Sequence, residues 1–173
     1  GLIGSGFISA IHFEAIVRVP RAQVIAVASP TPGRAEQFAV SRGIRHHFTD
    51  VRSLLDVKDV DLVVLGVPND LHRDITVQAA EAGKHVIVEK PMALNLGECD
   101  QMIEACQRAG VMLGYAEELC FAPKYVRMKQ LVDEGAIGKI HLVKQSEKHD
   151  GPHAHWFYDT KRSGGGVTFD MGC

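Results

Sequence analysis

Gly4-Ser5-Gly6-Phe7-Ile8-Ser9 decides the fold, read with the apolar Leu2-Ile3 before it and the helical periodicity of 7–19 after it. Where a strand turns on glycine into a helix, Gly4 can make the tight turn. Gly6 can then let backbone approach a pyrophosphate at the helix N-terminus, where the first N–H groups have no partner within the helix. The third glycine of this pattern is replaced by Ser9, a residue still small enough for helix and strand to pack closely. The competing reading of the same residues is an ordinary glycine turn.

Outward from that turn, short β-branched runs alternate with helical segments, the rhythm of βαβ units around a parallel sheet with helices on both faces. Strands are expected at 2–3, 24–28, 62–66, 86–89 and 111–115, and helices at 7–19, 34–42, 71–82 and 96–109. The last helix carries Leu96, Cys99, Met102, Ile103 and Cys106 on one face. Asn95 is placed as its cap, with Glu98 closing the box. The fold class is therefore α/β, a Rossmann-type doubly wound parallel sheet over 1–118. After Tyr115 the rhythm changes. A helix opened by Pro123 runs to Gly135, a long half-polar strand is expected at 139–148, and 150–166 reads as loop. The region 119–173 is expected to begin a second domain.

Composition narrows the function classes. The chain of 173 residues is 46% hydrophobic and 23% charged, and 19 Lys plus Arg against 21 Asp plus Glu leave a formal charge of −2. No global basic field exists to hold nucleic acid or an anionic membrane, so a small-molecule partner is expected. The longest apolar stretch, 62–68, is far short of the ~20 residues that span a bilayer. Cys99, Cys106, Cys120 and Cys173 show neither zinc spacing nor the density of a disulfide scaffold, which suits a reducing cytoplasm. The chain opens without methionine and its first strand is very short, so the sequence is expected to be part of a protein about twice as long.

Candidate site residues gather at the carboxyl ends of the strands, where open α/β sheets bind ligands. Strand 24–28 ends in Ser29-Pro30-Thr31-Pro32-Gly33-Arg34 without the acid that usually meets a free ribose 2′-hydroxyl. Ser29 and Thr31 can donate to a 2′-phosphate and Arg34 can pair with it, so NADP is favoured over NAD, unless Arg34 is simply solvated. Pro68-Asn69-Asp70-Leu71-His72 follows the next strand, where Asn69 or Asp70 can equally be a helix cap and His72 a surface residue. Glu89-Lys90-Pro91 ends the strand after that. A lysine there is either a surface charge or a base for a hydroxyl proton, and the second role requires burial or a neighbouring cation to lower its basicity. His149, His153 and His155 lie close together beside Asp150 and Trp156. Their spacing fits no metal motif, so no metal is expected; a substrate-cleft loop and an exposed loop stand equally.

Together these segments resemble the Gfo/Idh/MocA oxidoreductases, relatives of glucose-fructose oxidoreductase and inositol dehydrogenase. The resemblance rests on the Gly4-Ser5-Gly6 turn, Val67-Pro68-Asn69-Asp70-Leu71-His72, Glu81-Ala82-Gly83-Lys84-His85-Val86 leading into Glu89-Lys90-Pro91, and Gly164-Gly165-Gly166-Val167-Thr168-Phe169-Asp170-Met171-Gly172. It implies a Rossmann domain followed by an α/β domain with an open, mostly antiparallel sheet, through which the intact protein would pair into a homo-oligomer. It implies a nicotinamide cofactor, NADP or NAD, held by Gly4, Gly6, Phe7 and Ile8 at the pyrophosphate and by Ser29, Thr31 and Arg34 at the adenosine ribose. Pro68, Asn69, His72, Glu89 and Lys90 would stand on the nicotinamide side. Lys90 and Asp170 would be catalytic, and His153 and Trp156 would join them around the substrate. Pro91 often follows a cis peptide in this family.

The chain departs from the family pattern at three places. The Asp-x-Gly-x-His motif begins at Asp170, and its histidine would come directly after Cys173. The segment from Tyr115 to Pro123 lacks the usual Asn and Arg, and Phe157 rather than Arg follows Trp156. The implied activity is hydride transfer between the nicotinamide and a secondary alcohol or carbonyl of a sugar, cyclitol or related polyol. The rivals are a non-catalytic NAD(P) sensor and a lyase or glycosidase that keeps its cofactor for internal redox.

Overall fold

The computed structural model describes all residues except His149, His153 and Cys173. The Rossmann region runs β1 (Leu2–Ile3), α1 (Phe7–Ile16), β2 (Ala26–Ala28), α2 (Arg34–Val40), β3 (His46–Phe48), α3 (Val51–Leu55), β4 (Leu62–Leu65), α4 (His72–Glu81), β5 (His85–Glu89), α5 (Leu96–Ala109) and β6 (Leu113–Ala116). These strands form one sheet in the order β3-β2-β1-β4-β5-β6, and every neighbouring pair is parallel. The order reverses at β1, so the turns after β1 and β4 leave the sheet at the crevice where such folds bind ligands.

Alternation along the strands builds two cores. Ile3, Ala26, Ala28, Val63, Leu65, Val86 and Val88 face α3, α4 and α5, meeting Leu54, Ala79 and Met102. Leu2, Val27 and Val64 face the opposite side and meet Ala35 and Phe38 of α2. A sheet covered on both faces has no solvated side, which is why its strands read as unbroken apolar runs rather than as an alternation. Although β1 is two residues long, Leu2 and Ile3 are almost wholly buried. Each contributes about 1.5–3 kcal/mol of burial.

The expected cap of α5 is present. Asn95 Oδ1 accepts the Glu98 N–H at 3.0 Å, while Glu98 reaches back to the Leu94 N–H and to Asn95 Nδ2. At the far end Gly110 takes the left-handed conformation (φ 68°) that ends a helix. The structure adds two elements that patterning missed, β3 and α3. His46-His47-Phe48 carries no β-branched residue and pairs only along β2, and α3 is a short helix capped by Asp50, whose Oδ1 accepts the Ser53 N–H.

Beyond β6 the chain forms α6 (Pro123–Asp133), α7 (Thr160–Ser163) and α8 (Val167–Met171), with single 3₁₀ turns at Leu119–Phe121 and His155–Tyr158. The strand expected at 139–148 is not formed. Among the described residues no strand pairs with this stretch, and Leu142 and Val143 stay exposed. A strand is completed by its neighbour's ladder, and propensity alone does not supply one. The expected loop at 150–166 contains α7 and the last 3₁₀ turn instead.

The chain divides into two compact units, one of 1–116 together with 156–173, the other of 117–155. The second unit holds α6 and, among the described residues, no strand. No helix of the described residues is long and apolar enough to cross a membrane.

Candidate functional site

The turn after β1 has the conformation that its glycines suggested. Gly4 sits at φ 107°, its N–H donates to the Ala28 carbonyl at 2.8 Å, and a Cβ there would overlap the Gly66 carbonyl. Sterics within the chain therefore require this glycine. At Gly6 the situation is opposite, because an added Cβ would meet nothing within 4 Å. The open space lies at the N-terminus of α1, which has no side-chain cap and no acid in its first turn. Ser5 Oγ is buried beside it without a hydrogen-bond partner. Uncapped N–H groups, an unpaired hydroxyl and a cradle that a side chain would fill are what a pyrophosphate requires. Phe7 is exposed and Ile8 half-buried on the same turn.

After β2, Ser29 is buried and its N–H donates to the Phe48 carbonyl. Thr31 and Arg34 are exposed on the same turn, where the Arg34 N–H donates to the Thr31 carbonyl at 3.2 Å. This turn carries no carboxylate.

After β5, Lys90 Nζ donates to both the carbonyl and Oδ1 of Asp170, at 2.9 and 3.0 Å, with both side chains about one quarter exposed. The two residues are eighty apart in sequence, and α8 carries the carboxylate back to the sheet edge. The Lys90–Pro91 peptide is cis. Glu89 uses both of its carboxylate oxygens: Oε2 accepts the Lys90 N–H at 3.0 Å, and Oε1 accepts from His12 Nε2 at 2.7 Å. The sequence reading missed His12, since a single histidine within a helix pattern carries no local signal of what it faces.

Two residues expected on the nicotinamide side, His72 and Asn69, are buried. His72 is wholly buried, with Nε2 3.0 Å from the Val67 carbonyl and Nδ1 3.0 and 3.3 Å from those of Pro91 and Met92. Burial holds its basicity below the ordinary imidazole range, and the three carbonyls oppose that shift only in part. Each ring nitrogen faces backbone carbonyls, of which a neutral ring donates to those on one side at a time, and His72 sits buried between the turns after β4 and β5. Asn69 is also buried, and its Nδ2 donates to the Ser163 carbonyl at 2.9 Å. Pro68 beside it is half-buried. Asp70 pairs with Arg162 at 3.3 Å, so this turn grips α7.

Trp156 is half-buried and stacks on Phe157 at 3.9 Å between ring centroids, which occupies one indole face. No described contact joins it to Lys90. His153, expected at the substrate, lies outside the described residues; of its neighbours in that loop, His155 is described and exposed.

Residues 1–117 match the family model of the Gfo/Idh/MocA oxidoreductase family with its NAD-binding Rossmann fold, and 125–173 match the family's C-terminal domain. The chain belongs to the Gfo/Idh/MocA family. It is 33% identical over 178 residues to 1,5-anhydro-D-fructose reductase of Ensifer adhaerens, which covers 99% of the chain and 52% of that relative. It is 30% identical over 171 residues to myo-inositol 2-dehydrogenase of Thermotoga maritima, with 99% and 50% covered. Among solved structures, GenD2 from gentamicin A biosynthesis in complex with NAD superposes with a TM-score of 0.90 at 28% identity, covering 99% of this chain and 49% of that one. The chain thus spans about half the length of the curated relatives it matches.

Proposed function

We propose that the intact protein is an NAD(P)-dependent oxidoreductase acting on a secondary alcohol or carbonyl of a sugar, cyclitol or related polyol. The observation that carries this reading is the Lys90–Asp170 pair at the carboxyl end of β5, two strands from the open Gly4–Gly6 turn in a family with an NAD-binding Rossmann fold. Dehydrogenase and reductase relatives support the same class of chemistry.

Residues Gly4 to Ile8 and the N-terminus of α1 would bind the pyrophosphate, while Ser29, Thr31 and Arg34 would take the adenosine ribose. A bound nicotinamide supplies the hydride acceptor or donor. Lys90 Nζ, held by its bond to Asp170, would orient the substrate oxygen, and the positive charge of an oxidised nicotinamide would be the neighbouring cation that opposes the carboxylate and lets the lysine move the hydroxyl proton. Trp156 and His153 are offered as substrate contacts. The missing carboxylate after β2 supports NADP over NAD, because a 2′-phosphate would otherwise face a like charge. A cytoplasmic setting belongs to the same reading, as does pairing of the intact protein through an open, mostly antiparallel sheet; the first rests on composition and the second on the family.

Titrating the intact protein with NADPH and NADH by nicotinamide fluorescence, followed by a polyol panel read by absorbance, tests this. Binding with turnover is expected. Binding without turnover on any polyol would favour a sensor or an internal-redox lyase, and no binding would overturn the reading. Lys90→Ala should lower turnover roughly 10²–10⁴-fold. Ser29→Asp should shift preference from NADPH toward NADH, and an unchanged ratio of affinities would remove Ser29 from the cofactor site.

A further inference from the structure

His12 stands six residues after Gly6 on α1, about 9 Å along the axis of the helix whose N-terminus opens onto the glycine turn. Its Nε2 donates to Glu89 Oε1 at 2.7 Å, and the other oxygen of the same carboxylate accepts the main-chain N–H of Lys90. Both side chains are largely shielded, at 19% exposure for His12 and 11% for Glu89. A shielded carboxylate needs both of its oxygens satisfied, and without His12 it would turn toward water or a cation and release the Lys90 N–H.

We propose that His12 is a positioning residue: acting through Glu89, it sets the backbone of Lys90 and couples the glycine-turn helix to the Lys90–Asp170 pair. One carboxylate then joins α1 to the end of β5. Resting on the proposed function for the role of Lys90, the inference has a readout that does not depend on turnover.

The two amide variants separate a positional role from a merely structural one. A glutamine amide nitrogen reaches the position of the imidazole Nε2, whereas the shorter asparagine does not. In the ligand-free intact protein, trace acetylation with acetic anhydride located by peptide mass reports how firmly Lys90 Nζ is held, with exposed Lys58 and Lys139 as internal references. His12→Asn should raise Lys90 labelling at least about threefold, and His12→Gln should leave it near the wild-type rate. In parallel, NADH or NADPH affinity should weaken about fivefold in His12→Asn and recover in His12→Gln. If both variants label Lys90 as the wild type does, the inference is overturned, and equal loss in both reduces His12 to a packing residue and overturns it as well. Should the wild type bind neither dinucleotide, the proposed function falls while the labelling comparison still decides the positioning claim.

Discussion

Ser9 occupies the place of a third glycine, and the structure shows what makes this tolerable. Its Oγ lies where a Cβ on Gly66 would be, 2.5 Å from that position, and Ile8 Cγ2 is 3.0 Å from the same point. The hydroxyl of helix α1 fits because the residue that follows β4 is glycine. Since Ser9 Oγ is buried and has no hydrogen-bond partner, Ser9→Ala should be neutral or stabilise by up to about 1 kcal/mol. Gly66→Ala should destabilise by about 1–3 kcal/mol through overpacking. The double variant should recover part of that loss, as read from urea midpoints of all four proteins. Strict additivity would show that the two residues do not contend for the same space.

The elements of the sheet were largely legible because three of them announce themselves: 24–28, 62–66 and 86–89 are β-branched runs bounded by turn residues. β3 was not, because His46-His47-Phe48 becomes a strand only through pairing with β2, a tertiary cause that no window of sequence contains. The stretch 139–148 errs in the opposite direction, having the pattern of a strand without a neighbour. His72, at the start of α4, shows what patterning leaves out at a site. Its position after Pro68-Asn69 was readable, but its burial between three carbonyls was not. That burial has a pH signature. The folded value lies below the ordinary 6.5, so as pH falls the unfolded chain takes up this proton first. The stabilisation is complete above about pH 6.5 and is lost as pH drops below it, by at most about 1.4 kcal/mol per pH unit for one proton. Urea unfolding at pH 7.5 and 5.5 should show a smaller acid loss in His72→Asn than in the wild type; equal losses would mean that the buried imidazole is not the group responsible.

On the scale of the molecule, the site depends on a return of the chain. Residues 156–173 belong to the compact unit of the Rossmann sheet, and two contacts of unequal worth hold α7 there. The Arg162–Asp70 pair is partly exposed, at 40% and 26%, and is worth about 0–1 kcal/mol. The Asn69–Ser163 hydrogen bond is buried, and removing it leaves a carbonyl unsatisfied at a cost of about 1–3 kcal/mol. Trypsin should therefore cut after Lys161 or Arg162 faster in Asn69→Ala than in the wild type, with Asp70→Ala changing the rate less; the reverse order would invert this ranking. No local spacing relates Lys90 to Asp170, and only the family resemblance connected them before the structure did. The return also has a consequence in time. Eighty residues separate the two partners, and at about 5–20 residues per second of synthesis Asp170 is added about 4–16 s after Lys90. Every newly made molecule thus passes through several seconds in which the glycine turn and its helix have already been made while the lysine still waits for its carboxylate.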